Sequence, residues 1–399
     1  MKGSKPFGLP SKVSYSKGRG RFFQEFSVFI NYYLSEGRLK TRAVLRDLNV
    51  MKNIIRRMRS WLRHLAGKEA RTAWISHPLF LRHEPGVHHP EAPERIRAIE
   101  TELRKQGIWN RLQKVEAGEV TDKQLALVHP RKYLRFLESM QPQKGKIYRI
   151  DDDTVMSHES LTAARYAAGA VVNAVDMVMN KRAHHAFCAV RPPGHHAQSG
   201  KAGGFCLINN IAVGVMHAIA QYRIQKIAVI DFDVHHGDGT TEIFKDDPRV
   251  LFLNSFENDL FPFPSFETVG KNPHIVNIAF PPDTGSYDFR KEIREKWLPK
   301  LTAFKPELLF LSAGFDAHKS DETSRLNLHE ADYAWLSHKI IQTASMCKGR
   351  IVSVLEGGYA LESLSKSVAA HVYVLAGMGK PDCAVQYDKL LNKQVTDNA

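Results

Sequence analysis

Residues 226–240 read KIAVIDFDVHHGDGT, an apolar run that ends abruptly in a segment rich in Asp, His and Gly. The first six residues have the length and composition of a strand that is buried on both faces. In open parallel sheets, ligands bind beyond the carboxyl ends of the strands. The stretch therefore predicts a central buried strand with a polar site at its end.

Three other apolar runs have the same form, and each is followed at once by polar or Gly-rich residues. They are AFCAV (186–190), LLFLSAG (308–314) and IVSVLEGG (351–358). Helical patterns lie between the runs, around 211–220 and over 288–303. Alternation of strands and helices predicts a single three-layer α/β domain, with a mainly parallel β-sheet flanked by helices.

The loops after these four strands supply His, Asp and Tyr side chains that we expect to meet at one edge of the sheet. Asp233 and His235 stand two residues apart in what we take as an extended segment, so their side chains point to the same side. Asp316 follows a neighbouring strand. Two carboxylates and one imidazole leave positions open on a zinc ion for water and substrate, as in a catalytic zinc site.

The same loops contain the groups that a hydrolase needs for proton transfer. His195 and His196 are adjacent, and Asp231 and Asp238 are not used as metal ligands in this scheme. An Asp that pairs with the far nitrogen of a His fixes its tautomer, so two such pairs are predicted. The hydroxyl of Tyr359 is placed to donate a hydrogen bond to a developing oxyanion.

Each of these residues also has an ordinary structural interpretation. An Asp at the end of a strand is commonly a helix cap or an ion-pair partner, and a lone His is commonly a structural residue. The convergence of four segments on one edge, rather than any single residue, favours a functional site.

The positive charge of the chain is concentrated at its start. The net charge is +14, and residues 1–70 hold 16 Lys+Arg against 4 Asp+Glu. Apolar residues recur every three or four positions from Val44 to Leu65, which predicts an amphipathic helix. We interpret residues 1–70 as a basic, partly disordered N-terminal extension and 71–399 as the α/β domain that carries the predicted zinc site.

The extension has several possible roles. Its helix could pack on the domain or on a second copy of the chain, which leaves an oligomer open. It could instead bind an acidic partner or an anionic surface. The reading frame could also begin upstream of the true start, and the acid-free first residues leave an organelle-targeting role open.

The cysteines indicate a reducing compartment. The chain has four cysteines and no CxxC pair, which is too few for a disulfide framework. We therefore expect an intracellular, cytoplasmic protein, with the nucleus and organelles left open.

Five motifs together resemble the histone deacetylase family of the arginase–deacetylase fold. They are RPPGHHA, GGFCLINN, DFDVHHGDGT, SAGFDAH and LEGGY, in this order, and the resemblance covers roughly residues 72–380. RPPGHH and LEGGY are nearer to the class II and bacterial histone-deacetylase-like branch. The resemblance implies zinc-dependent hydrolysis of the acetyl amide of acetyl-lysine, with release of acetate.

The resemblance also implies a role for each matching residue. The zinc ligands are Asp233, His235 and Asp316. The catalytic residues are His195 with Asp231, His196 with Asp238, and Tyr359, which polarises the carbonyl. The walls of the acyl-lysine tunnel are Phe205 and Phe261, with Gly204 beside them.

Three further assignments depend on the same resemblance. Arg95 matches the arginine that lies behind the active site. The acidic residue that grips the substrate backbone is Asp151 or Asp153. A structural potassium ion is implied, with ligands from Asp231, Asp233, His235, Ser255 and Phe256.

One departure from the family pattern bears on the substrate. Where the family often reads Asp-Pro-Leu, this chain reads Asp321-Glu322-Thr323. Polyamine-specific members place a glutamate near this position. The matching residue here is Thr323, with Glu322 one residue away, which argues against polyamines.

Three functions remain from these considerations. The leading hypothesis is deacetylation of an acetylated protein or peptide, and the first alternative is the same reaction on a small acetylated amine such as an acetylpolyamine. A non-catalytic acyl-lysine binding module is the alternative from another class. The complete set of predicted metal, His and Tyr residues argues against that third function.

Overall fold

A computed structural model describes residues 72–264, 272–343 and 350–397. The predicted N-terminal extension, residues 1–70, and its amphipathic helix lie outside the described residues. The extension, its boundary at residue 71 and its partners therefore stay predictions.

Ten strands and eleven helices make up the described chain. The strands are β1 Thr72–Ser76, β2 Leu112–Glu116, β3 Ile147–Arg149, β4 Val155–Ser157, β5 His185–Cys188, β6 Ile227–Asp231, β7 Val250–Glu257, β8 Ile275–Phe280, β9 Leu308–Ala313 and β10 Ile351–Leu355. The helices are α1 Glu94–Lys105, α2 Asp122–Leu125, α3 Arg131–Ser139, α4 Ser160–Met179, α5 Asn210–Tyr222, α6 Asp238–Phe244, α7 Ser286–Glu292, α8 Leu298–Phe304, α9 Glu330–Thr343, α10 Leu361–Leu375 and α11 Asp382–Asp397.

Eight strands form one sheet in the order β2-β1-β5-β10-β9-β6-β7-β8, and every pair in it is parallel. The four strands predicted from the sequence are β5, β10, β9 and β6, which are consecutive neighbours in its centre. Their carboxyl ends therefore lie side by side at one edge, as expected for a parallel sheet. The predicted fold, a mainly parallel sheet flanked by helices, is confirmed.

Two apolar clusters cover the two faces of the sheet. Along β6, Ile227 and Val229 belong to one cluster, whereas Ala228 and Ile230 belong to the other. Successive residues of a strand point to opposite faces, so a strand with helices on both sides is apolar throughout. This is why the sequence shows continuous apolar runs rather than an alternating pattern.

Smaller features complete the domain. β3 and β4 form a separate antiparallel pair, and the loop between them carries Asp151 and Asp153. In the described parts of the chain, no helix is both long enough and apolar enough to span a membrane.

Candidate active site

Asp233, His235 and Asp316 meet beyond the ends of β6 and β9. Each offers one ligand atom, and these atoms all lie within 4.8 Å of one another. His235 Nδ1 lies 3.0 Å from Asp233 Oδ1 and 3.3 Å from Asp316 Oδ2. The structure thus brings together the three side chains that the sequence predicted as metal ligands.

The local geometry that joins Asp233 to His235 differs from the prediction. We expected an extended segment, but β6 ends at Asp231 and residues 233–235 form a bend. The carboxylate of Asp233 accepts a hydrogen bond from the backbone N–H of His235 at 2.9 Å. This turn, and not strand alternation, points both side chains to one place, because an Asp side chain readily bonds to the backbone two residues on.

These three side chains fit a divalent cation. Within the described residues, the buried Asp316 Oδ2 makes no hydrogen bond of acceptable geometry and has only the 3.3 Å contact from His235 Nδ1, so it has unused capacity to bind a cation. Although burial acts to lower it, the carboxylates of Asp233 and Asp316 raise the pKa of His235 to about 10. A positive charge is therefore favoured at this point, and imidazole nitrogen with carboxylate oxygen is a donor set that zinc accepts.

Space for the cation depends on Gly357. A Cβ atom at this position would lie 1.9 Å from Asp316 Oδ2 and 2.6 Å from Asp233 Oδ2. Any side chain here would clash with two of the predicted ligand oxygens. The close approach of the backbone to the candidate metal site therefore explains why position 357, the first glycine of LEGGY, is a glycine.

Two His–Asp pairs lie next to this cluster. His195 Nδ1 is 3.0 Å from Asp231 Oδ2, and His196 Nδ1 is 2.7 Å from Asp238 Oδ1. A His that donates from Nδ1 to a carboxylate leaves its Nε2 available as a proton acceptor when it is neutral. The pairing is the one predicted from the sequence.

The two histidines differ in their pKa values. Burial, together with the neighbouring His195, lowers the pKa of His196 to about 4, so its ring is neutral at pH 7. Burial also acts to lower the pKa of His195, but Asp233 and Asp231 raise it well above its ordinary value. His196 is therefore the one that is ready to accept a proton.

Tyr359 is held from two sides. Asp321 Oδ2 accepts hydrogen bonds from the backbone N–H groups of Tyr359 at 2.6 Å and Ala360 at 3.0 Å. The guanidinium of Arg95 lies 4.9 Å from the Tyr359 ring centroid, and its Nε donates to the Gly358 carbonyl at 2.7 Å. Burial raises the pKa of Tyr359 well above its usual value, so the hydroxyl stays a hydrogen-bond donor.

The aromatic residues predicted as tunnel walls lie against the catalytic groups. The ring centroid of Phe205 is 5.8 Å from that of Tyr359, and that of Phe261 is 5.0 Å from that of His196. A Cβ atom at Gly204 would lie 2.3 Å from His196 Cδ2. Gly204 therefore lets the loop that carries Phe205 approach the catalytic histidine.

The two candidate substrate-gripping acids make different contacts near the predicted tunnel wall. The Asp153 carbonyl accepts a hydrogen bond from His89 Nε2 at 3.2 Å, and the His89 ring packs on Phe205 at 4.7 Å between centroids. The Asp151 carboxylate accepts from the backbone N–H of Thr154 at 2.6 Å, and the Thr154 hydroxyl accepts from the Phe205 N–H at 3.2 Å. Both acids are therefore connected to the loop of Phe205, and which of them grips the substrate stays a prediction.

The residues predicted to hold potassium lie on adjacent strands. Asn254 of β7 is paired in register with Asp231 of β6, which places Ser255 and Phe256 next to the end of β6. Both are buried. The potassium site itself stays a prediction.

Sequence reasoning gave no role to Glu356, although it quoted the LEGGY motif. Glu356 is fully buried, and its Oε2 accepts hydrogen bonds from the backbone N–H groups of Gly194 at 2.7 Å and His195 at 3.2 Å. It therefore connects the end of β10 to the loop that carries His195 and His196. The available signal was a carboxylate at the end of an apolar run, where a buried charge requires partners.

A buried ion cluster behind the site was also missed. Glu91 Oε2 accepts from Arg191 Nη2 at 2.7 Å, and Glu91 Oε1 accepts from Arg95 Nη1 at 3.2 Å. Burial opposes ionisation of Glu91, but Arg191 and its neighbours hold the pKa well below its ordinary range. This cluster fixes Arg95, which in turn supports the backbone beside Tyr359.

Replacing Glu356 with alanine is expected to lower kcat about tenfold or more, because two buried N–H groups lose their acceptor and the histidine loop shifts. Glu356→Gln keeps an acceptor oxygen and is expected to stay within a few-fold of the parent chain. The measurement is kcat and KM of both variants at equal metal content. Equal kcat for Glu356→Ala and the parent chain would show that this contact does not position the histidines.

Comparisons with known proteins show what this chain resembles in sequence and fold. The family model for the histone deacetylase domain matches residues 89–375. A probable deacetylase from Archaeoglobus fulgidus is 38% identical over 298 residues, which are 73% of this chain and 82% of that protein. The polyamine deacetylase HDAC10 of Mus musculus is 35% identical over 305 residues, 73% of this chain but only 45% of that longer protein. The crystal structure of the HDA15 HD domain has 32% identity and a TM-score of 0.72, covering 79% of this chain and 92% of that one.

Proposed function

Since this chain belongs to the histone deacetylase family, we propose that it hydrolyses the acetyl amide of acetyl-lysine in proteins or peptides with the help of one zinc ion. The observation that carries the proposal is the cluster of Asp233, His235 and Asp316 beside His196 and Tyr359. A zinc ion bound there supplies a Lewis acid that polarises the acetyl carbonyl and lowers the pKa of water.

The side chains of this chain then carry the proton steps. Neutral His196 accepts a proton from the attacking water through Nε2, while Asp238 stabilises the imidazolium through Nδ1. The Tyr359 hydroxyl donates a hydrogen bond to the acetyl oxygen as negative charge develops on it.

The same proton completes the reaction. As the C–N bond breaks, His196 returns its proton to the departing nitrogen of the lysine side chain. The second proton of the water stays on the acyl product until it passes to the amine, so the products are acetate and the lysine ammonium, and the histidine is neutral again.

The walls of the site support a linear, uncharged substrate arm. Phe205 and Phe261 present aromatic rings beside Tyr359 and His196. Apolar walls favour the four-carbon stem of acetyl-lysine and exclude water from the reacting atoms.

Thr323 supports a protein substrate over a polyamine. Its hydroxyl donates to Asp321 Oδ1 at 2.6 Å, so this position offers no carboxylate to a cationic amine. The similarity to a polyamine deacetylase keeps acetylpolyamines as the second candidate.

A substrate panel tests the proposal. We expect kcat/KM to be about tenfold or more higher for an acetyl-lysine peptide than for an acetylated polyamine, because the second ammonium of a polyamine finds no acid at Thr323. Thr323→Glu should move the preference toward the polyamine, and Thr323→Gln serves as the uncharged control. Higher kcat/KM for the polyamine with the parent chain would overturn the peptide assignment, and absence of acetate release from both would favour a binding module.

A further inference from the structure

An open cavity of about 520 Å³ lies beside the loop that carries the tunnel wall. We call it the flanking pocket. Its lining includes Tyr133, Phe136 and Ile150 as apolar residues, and Lys132, Lys201 and Asp151 as charged residues. The volume is in the range of pockets that take a large side chain or a small ligand.

The flanking pocket is connected to the tunnel wall through short contacts. Asp151 lines the pocket, and its carboxylate accepts a hydrogen bond from the backbone N–H of Thr154 at 2.6 Å. The Thr154 hydroxyl in turn accepts from the backbone N–H of Phe205 at 3.2 Å. A chain whose acetyl-lysine enters beside Phe205 therefore places its neighbouring residues near this pocket.

The flanking pocket presents aromatic side chains that are partly exposed and held in a fixed position. The Phe136 side chain is 39% exposed, and its ring centroid is 6.4 Å from that of Tyr133. The Tyr133 hydroxyl donates to the Leu207 carbonyl at 2.7 Å, which fixes that ring. A large apolar side chain of a bound partner would cover this surface and gain free energy from its burial.

The charged residues of the flanking pocket determine which charge it favours in a bound partner. In the described part of the chain, Lys132 and Lys201 are exposed and form no ion pair. The Asp151 carboxylate accepts hydrogen bonds from N–H groups of its own loop and keeps its negative charge, so two ammonium groups and one carboxylate give the lining a net charge of +1. This excess positive charge favours a partner with a carboxylate and disfavours a cationic one.

We propose that the flanking pocket binds the segment next to acetyl-lysine in a protein substrate, and that this segment carries a large apolar residue beside an acidic residue. This inference rests on the proposed function, since it names the substrate of that same site. A polyamine has neither an apolar side chain nor a negative charge, so the pocket selects for protein substrates.

Two acetyl-lysine peptides of equal length test the proposal. One carries Phe and Glu among the two residues on either side of acetyl-lysine, and the other carries Ser and Lys there. We expect kcat/KM to be about tenfold higher for the Phe/Glu peptide, because a buried aromatic side chain and a charge contact each contribute to its binding. A single acetyl-lysine on a small fluorogenic amine, which cannot reach the pocket, is the reference substrate.

Variants assign the preference to the flanking pocket. Lys132→Glu with Lys201→Glu, and separately Phe136→Ser, should remove the preference while leaving turnover of the reference substrate within twofold. Lys300→Glu, an exposed lysine on α8, is the matched control and should change neither. Equal kcat/KM for the two peptides with the parent chain, or a preference that survives in both pocket variants, would overturn the proposal.

Peptide binding by fluorescence anisotropy separates this proposal from the proposed function. If the chain releases no acetate but still binds the Phe/Glu peptide about tenfold more tightly, and the pocket variants abolish that difference, the pocket stands and the hydrolase does not. Equal binding of the two peptides contradicts the pocket whatever the turnover.

Discussion

Replacing Asp316 with asparagine is expected to abolish metal binding and to lower turnover by about 10³-fold or more. Asp316 Oδ1 accepts a hydrogen bond from the Val234 N–H at 2.9 Å, which the asparagine oxygen can keep. Oδ2 is the buried oxygen that makes no hydrogen bond to any residue the structure describes, and the amide NH₂ that replaces it cannot bind a cation. Loss of a Lewis acid removes several kcal/mol of transition-state stabilisation, which corresponds to a rate loss of this size.

The readouts are zinc per chain by elemental analysis and acetate release from an acetyl-lysine peptide. Asp332→Asn is the matched control, because Asp332 is equally buried but pairs with Arg290 Nε at 2.6 Å, outside the active site. The control is expected to lose stability and to keep zinc and turnover per folded chain. An Asp316→Asn chain with full zinc content and parent turnover would remove Asp316 from the ligand set.

Tyr359→Phe is expected to lower kcat by about 10²–10³-fold, the range found when one hydrogen-bond donor to an oxyanion is removed. Its backbone contacts to Asp321 and the support from Arg95 do not involve the hydroxyl, so the phenylalanine ring should occupy the same place. Zinc content and peptide binding should therefore stay close to those of the parent chain.

Tyr333→Phe is the control for this experiment. Tyr333 is buried, and its hydroxyl has no hydrogen-bond partner among residues 72–264, 272–343 and 350–397, so removing that oxygen is expected to change kcat by less than twofold. Single-turnover measurements at saturating peptide would separate the chemical step from binding. Parent-like kcat for Tyr359→Phe would exclude the hydroxyl as the oxyanion donor.

The central part of the fold could be predicted from the sequence because a strand buried on both faces leaves a visible apolar run. The runs that became β5, β6, β9 and β10 are of this kind, and they are adjacent in the sheet. The outer strand β2 was not recognised, because its middle residues are exposed and polar and no run marks it. β7 was also missed, although all eight of its residues are buried.

The candidate site was predicted in part for a similar reason. Sequence motifs show which residues follow each strand, and the parallel arrangement of the strands brings those residues together. The motifs do not show which backbone groups a buried carboxylate will contact. The N–H groups that Glu356 accepts from lie 162 and 161 residues away, and Asp321 Oδ2 accepts from N–H groups on the loop of Tyr359. The sequence marked Asp321 only as part of a departure from the family pattern, but in the structure it holds the backbone of Tyr359.

The bend at residues 233–235 shows that residue spacing alone does not predict the local backbone conformation. Spacing of two residues suggested strand alternation, which requires the strand to continue past Asp231. The Asp233 carboxylate instead bonds the His235 N–H and ends the extended conformation. A hydrogen bond from the backbone to a nearby Asp side chain can thus bring the two predicted side chains together without an extended strand.

We propose that one zinc ion is held by Asp233, His235 and Asp316. X-ray absorption at the zinc edge, measured on the purified chain, identifies the ligand atoms around that ion. We expect one zinc per chain with a single imidazole nitrogen, oxygen atoms at about 2.0–2.2 Å and no sulfur in the first coordination sphere. A sulfur ligand, two or more imidazoles, or a chain that retains no zinc after reconstitution would contradict it.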